Sequence, residues 1–171
     1  MQRTVILGST SRYRRGLMER LHLPFDVQAP EVDESALPGE SPAALAARLA
    51  LAKARAVARR FPEAVVIGSD QVADLDGEAL GKPGDHARAV AQLQRMRGRT
   101  LVFQTALAVV CEATGFAQQD LAPVRVVFRD LSDAAIEQYL RARAPGPAAR
   151  SRLPRRPRPA RSGTPGCDRA C

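Results

Sequence analysis

The chain has 171 residues, 45% of them hydrophobic and 26% charged, which suffices for one domain with a real core and excludes a low-complexity chain. Its formal net charge of +8 is confined to one end: residues 1–140 carry equal numbers of basic and acidic side chains, whereas 141–171 carry nine Arg against Asp168 alone. The body is neutral, so its basic residues must be read individually, and three cysteines without framework spacing speak against a disulfide scaffold and point to a reducing cytoplasm.

The apolar run Val5 to Leu7 is too short for a signal peptide or a membrane span. Thr4 to Gly8 reads instead as a short buried strand, and Ser9 to Ser11 offer caps for a helix through Arg14, Leu17, Met18 and Leu21. Strand, Gly/Ser turn and helix form an anion-site layout, because free N–H groups and the helix dipole favour phosphate there. Arg14 and Arg15 could add paired donors; two arginines on a solvated helix face are the plainer alternative.

Pro24 to Ala29 alternates as a second strand and leads into Glu31, Asp33 and Glu34. Such a cluster suits a divalent cation through hard oxygen ligands, or is simply an acidic solvated loop. Ser41 and Pro42 open the clearest helix, with Ser41 as cap and Pro42 at its first position, running to about Arg60 before Phe61-Pro62. Leu45, Leu49 and Lys53 share one stripe of it, so Lys53 either snorkels to water or meets a ligand in a cleft.

Val65 to Val72 reads as a buried strand that ends in a functional turn at Gly68, Ser69 and Asp70. Alternation puts Asp70 on the face of Val66 and Gly68, and the glycine should leave open space beside the carboxylate. Asp76-Gly77 marks a hairpin turn, and Gly81-Lys82-Pro83 sets another lysine on a rigid loop. Further elements are a helix from Asp85 to about Met96 ended by Gly98, strands at Thr100 to Cys111 and Val124 to Arg129, and a helix from Ser132 to about Arg143. Strands and helices without strict alternation give an α/β domain, with α+β as the alternative, built on a mixed sheet. From Ala144 the chain becomes Arg/Pro-rich without hydrophobic period, which divides it into a body, 1–143, and a tail, 144–171, expected to be disordered.

Five co-ordered pieces of this body carry a resemblance: Gly8, Ser9, Ser11, Arg14 and Arg15; Glu31, Asp33 and Glu34; Lys53; Gly68, Ser69, Asp70 and Gln71; and Gly81, Lys82 and Pro83. Together they resemble the Maf family of nucleoside triphosphate pyrophosphatases, and the G-S-D-Q form with Tyr13 before the arginines is similar to its 7-methyl-GTP branch. The resemblance implies a Maf/ITPase-like sheet with flanking helices around a nucleotide cleft. It also implies hydrolysis of a nucleoside triphosphate to the monophosphate and pyrophosphate, in the cytoplasm and by a homodimer. It makes Asp70 the catalytic residue, and Ser9, Ser11, Arg14, Arg15, Lys53 and Lys82 the substrate-binding ones. Tyr13 and Gln71 become base-recognition positions, and Mg²⁺ or Mn²⁺ falls to Glu31, Asp33, Glu34 and Asp70. The family's closing A-G-S and G-L-P-L segments have no counterpart, so Ala144 to Cys171 is expected to be out-of-frame sequence replacing C-terminal elements. Two rival readings are dTTP/UTP hydrolysis within the same family and an inactive fragment. In the second, the Arg-rich tail would bind nucleic acid non-specifically.

Overall fold

The computed structural model describes residues 3–143; the expected boundary at Ala144 and the tail beyond it lie outside them. The elements, in chain order, are β1 (Val5–Gly8), α1 (Arg12–Glu19), β2 (Asp26–Gln28), α2 (Pro42–Ala58), β3 (Val65–Leu75), β4 (Glu78–Leu80), α3 (His86–Met96), β5 (Thr100–Cys111), β6 (Phe116–Val127) and α4 (Asp133–Arg143). The sheet runs β2-β1-β3-β5-β6, with β4 paired to β3. It is mixed: β1 is parallel to β2 and β3, and the β3-β4, β3-β5 and β5-β6 pairs are antiparallel. The expected mixed α/β architecture is therefore present.

Local chemistry starts the helices where the sequence places them. Ser41 accepts a hydrogen bond from the Ala44 amide with Pro42 in the first turn, and Asp85 accepts from the Arg88 amide. Asp76 and Gly77, both at positive φ, close the two-residue β3-β4 hairpin. Leu45, Ala46, Leu49, Ala50, Ala54 and Val57 of α2 bury one sheet face, meeting Val66 and Val72 of β3 and Ala106, Ala108 and Val110 of β5. A smaller cluster, Leu75, Met96 and Leu101, packs with Phe103 and Phe128 toward the other end of β3. No helix among the described residues is long and apolar enough to cross a membrane.

Three sequence expectations change here. The Val65 strand does not stop in a turn at Asp70 but continues to Leu75, because β5 holds it in register from Val66 to Asp74. The last strand begins at Phe116 rather than Val124. Its first half, with Gln118, Gln119, Asp120 and Pro123, is mostly exposed and pairs on one side with β5, and such a strand needs neither apolar alternation nor every N–H. Gly68 does not open space beside Asp70: a Cβ there would lie 2.3 Å from the Ala50 carbonyl oxygen and 2.6 Å from the Ala54 nitrogen. The missing side chain is what lets the α2 backbone lie directly on β3.

The cleft follows from strand lengths. One edge of β3 is taken by β5, while on the other β1 ends at Gly8 opposite Gly68 and the antiparallel β4 ends at Leu80 opposite Ala73. Ser69 to Val72 lie between those partners, in a crevice at the carboxyl end of β1, where open α/β sheets bind ligands.

Candidate active site

Asp70 is carried into this crevice from the middle of β3, and α2 delivers Lys53 from the stripe that also holds Leu45 and Leu49. Because Gly68 brings helix and strand into backbone contact, Lys53 Nζ donates to Asp70 Oδ1 at 2.6 Å. Both side chains are nearly out of solvent, at 6% and 12% exposure. A charged pair at this depth costs desolvation that each partner must offset for the other. Lys53 Nζ is also 2.7 Å from Glu34 Oε1, on the loop between β2 and α2. That contact holds the Glu34 carboxyl below its ordinary range, with the charges of Lys82 and Arg14 adding to the effect.

The turn after β1 builds the opposite wall. Ser11 caps α1 by accepting from the Arg14 amide at 3.5 Å, and its own amide donates to Ser9 Oγ at 3.2 Å. Arg14 Nη1 donates to the same oxygen at 3.4 Å, and Nη2 stands 3.9 Å from Asp70 Oδ1. Lys82, on the loop after β4, completes the rim. The cleft, about 740 Å³, thus holds Arg14, Lys53 and Lys82 against Asp70 and Glu34. Its apolar wall is Leu45, Leu49, Val72 and Leu80. Ser9, Lys53, Ser69 and Asp70 are the buried polar or charged side chains of the described residues. Their concentration beside one crevice marks it as the place where the fold accepts a cost in burial.

Of the residues the sequence singles out, Ser9, Ser11, Arg14, Glu34, Lys53, Asp70, Gln71 and Lys82 line the cleft. Gln71 points its amide to Thr105 on β5, Nε2 donating to Oγ1 at 2.8 Å; Thr105 carries no sequence signal that would select it. Tyr13, Arg15, Glu31 and Asp33 are not in the lining. Tyr13 is 72% exposed with the Arg12 guanidinium 5.4 Å from its ring centroid, and Arg15 pairs with Glu19 at 3.1 Å one helical turn on. Glu31 is exposed, and Asp33 is held below its ordinary pKa by the Ser35 side chain and, next, by the Ser35 amide, which donates to it at 2.9 Å. Sequence reasoning also missed Arg48, whose guanidinium forks Glu40 at 2.6 and 2.8 Å and donates to Ser35 O at 2.9 Å. These bonds tie the Glu34 loop to α2.

No group of three or more His, Cys, Asp or Glu among the described residues is placed to hold a metal ion. Glu34 and Asp70 do converge, on the same ammonium. Two carboxylates fit a hard divalent cation whose remaining ligands are phosphate oxygens and water. The four-residue set expected from sequence is therefore not assembled: two of its members meet in the cleft, and Glu31 and Asp33 stand apart.

A family model described as Maf-like protein matches residues 4–150. The chain is 70% identical over 145 residues to the 7-methyl-GTP pyrophosphatase of Albidiferax ferrireducens, a match covering 85% of this chain and 73% of that protein. It is 69% identical over 143 residues to the 7-methyl-GTP pyrophosphatase of a Polaromonas species, covering 84% of this chain and 65% of that one. The protein of that name from Xanthomonas campestris pv. campestris is 61% identical over 142 residues, covering 83% and 73%. Among solved structures, a HAM1 protein from Coxiella burnetii shares the fold with a TM-score of 0.55 over 76% of this chain and 75% of its own, at 14% identity. With a family match across most of its length and relatives this similar, the chain belongs to the Maf family.

Proposed function

We propose that this chain hydrolyses a nucleoside triphosphate, 7-methyl-GTP, to the monophosphate and pyrophosphate. The observation that carries the reading is the convergence of Lys53 and Arg14 on Asp70 Oδ1, in a cleft that also presents Lys82. The names of its relatives supply the nucleotide.

In this reading Arg14, Lys53 and Lys82 neutralise and orient the triphosphate, and the Ser9–Ser11 turn with the α1 N-terminus adds neutral donors. Lys53 and Arg14 address Oδ1 of Asp70, so Oδ2 is the oxygen that aligns a water and takes its proton. The water oxygen bonds to the α-phosphorus, the bond from that phosphorus to the bridging α–β oxygen breaks, and pyrophosphate leaves with the electron pair. Glu34 and Asp70 would hold Mg²⁺ or Mn²⁺ together with the substrate's phosphates, and the ion would supply charge neutralisation and polarisation of the phosphoryl oxygens. The wall of Leu45, Leu49, Val72 and Leu80 would seat the nucleoside, and Gln71, with Nε2 committed to Thr105, offers Oε1 as an acceptor for the base. The proposal includes a cytoplasmic setting and a homodimer.

The test is pyrophosphate release from 7-methyl-GTP, GTP, dTTP and UTP side by side, run in ¹⁸O-water. The expected result is preference for 7-methyl-GTP with the label in the monophosphate. Preference for dTTP or UTP would move the chain to the other branch, and label in pyrophosphate would overturn attack at the α-phosphorus.

A further inference from the structure

The loop between β2 and α2 is fastened at two points. Arg60 Nη2 donates to Ala29 O at 2.8 Å, and Arg48 Nη2 donates to Ser35 O at 2.9 Å. Between the fastenings lie Glu31, Asp33 and Glu34, and of these Glu34 lines the cleft. Its Oε1 is 2.7 Å from Lys53 Nζ, within the field of Lys82 and Arg14, yet its side chain is 56% exposed. Asp70, the other carboxylate on that ammonium, is only 12% exposed and fixed in a strand. The two acids thus differ in freedom: Asp70 is built in, whereas Glu34 can turn into water at small cost.

An ammonium has three N–H donors, and Glu34 and Asp70 each engage Lys53. A phosphate approaching Lys53 therefore meets a like charge already in contact with that cation. We propose that Glu34 is an internal stand-in for a phosphate group: its carboxylate engages Lys53 and must give it up for a polyphosphate to bind. The inference rests on the reading of this cleft as a polyphosphate site. It makes Glu34 a gate on ligand entry, a role separate from any metal ligation.

The test is calorimetric binding of inorganic tripolyphosphate to the full chain in EDTA at fixed ionic strength. Glu34→Gln and Glu34→Ala should each bind about 10-fold more tightly than wild type, as when a stand-in leaves a tenth of the molecules binding-competent. Glu31→Gln and Asp33→Asn remove the same charge from the same loop without touching Lys53, and should stay close to wild type because exposed charges are screened. Equal or weaker binding by the Glu34 variants would overturn the proposal, as would equal tightening by the two controls. If neither wild type nor the Glu34 variants bound tripolyphosphate, the polyphosphate reading itself would fail and the stand-in with it.

Discussion

Lys53 and Asp70 form the pair on which the site depends, and their burial sets what each loss costs. Lys53→Met leaves Asp70 without its 2.6 Å partner, and Arg14 at 3.9 Å is too long to replace a hydrogen bond. Breaking a buried pair on one side costs about 3–5 kcal/mol, because the remaining charge stays out of water uncompensated. Urea unfolding of Lys53→Met should show a loss of that size. Adding Asp70→Asn should recover part of it, with a coupling of about 1–3 kcal/mol. Strictly additive losses would mean that the two side chains do not depend on each other.

The contact of α2 with β3 places that pair. Gly68→Ala puts a methyl against the Ala50 carbonyl and the Ala54 amide, which are backbone groups and cannot rotate away. Overpacking of this kind costs about 1–3 kcal/mol, or more where the obstacle is rigid. The variant should be destabilised by at least that amount and should lose nucleotide cleavage as Lys53 is displaced; wild-type stability by urea unfolding would show that the helix can yield. The same helix holds the Glu34 loop through Arg48, whose hydrogen bonds lower the Glu40 pKa from its ordinary 4.5 to about 2. A depressed carboxyl pKa stabilises the fold fully above the unfolded value, and that contribution is lost as pH falls from about 4.5 toward 2. Across that window the urea midpoint of wild type should fall faster than that of Arg48→Met. Parallel pH profiles would show that the clamp contributes nothing.

Across the whole molecule, what could be read in the sequence was what local chemistry decides. Ser41-Pro42, Asp76-Gly77 and the strand-like, apolar run of Thr100 to Cys111 each point to a cap, a turn or a strand within a few residues, and all are present. The spacing of Leu45, Leu49 and Lys53 put the lysine on the core face of α2, but only the packing of that face on β3 could show that it meets Asp70. Arg14 and Arg15 are adjacent and chemically identical, so sequence could not tell that a turn of about 100° sends one into the cleft and the other to Glu19. Glu34 could not be told from Glu31 and Asp33 for the same reason, since an irregular loop has no period. Arg48 and Glu40 meet across a helix start, a pairing that no spacing rule marks.

In the proposed mechanism Asp70, held by Lys53 and Arg14, activates water for nucleotide cleavage, and Asp70→Asn removes that base while keeping the shape. The measurement is steady-state pyrophosphate release from 7-methyl-GTP by both proteins, with circular dichroism confirming the fold of each. Turnover should fall by about 10²- to 10⁴-fold. Equal turnover in the two proteins would contradict the assignment.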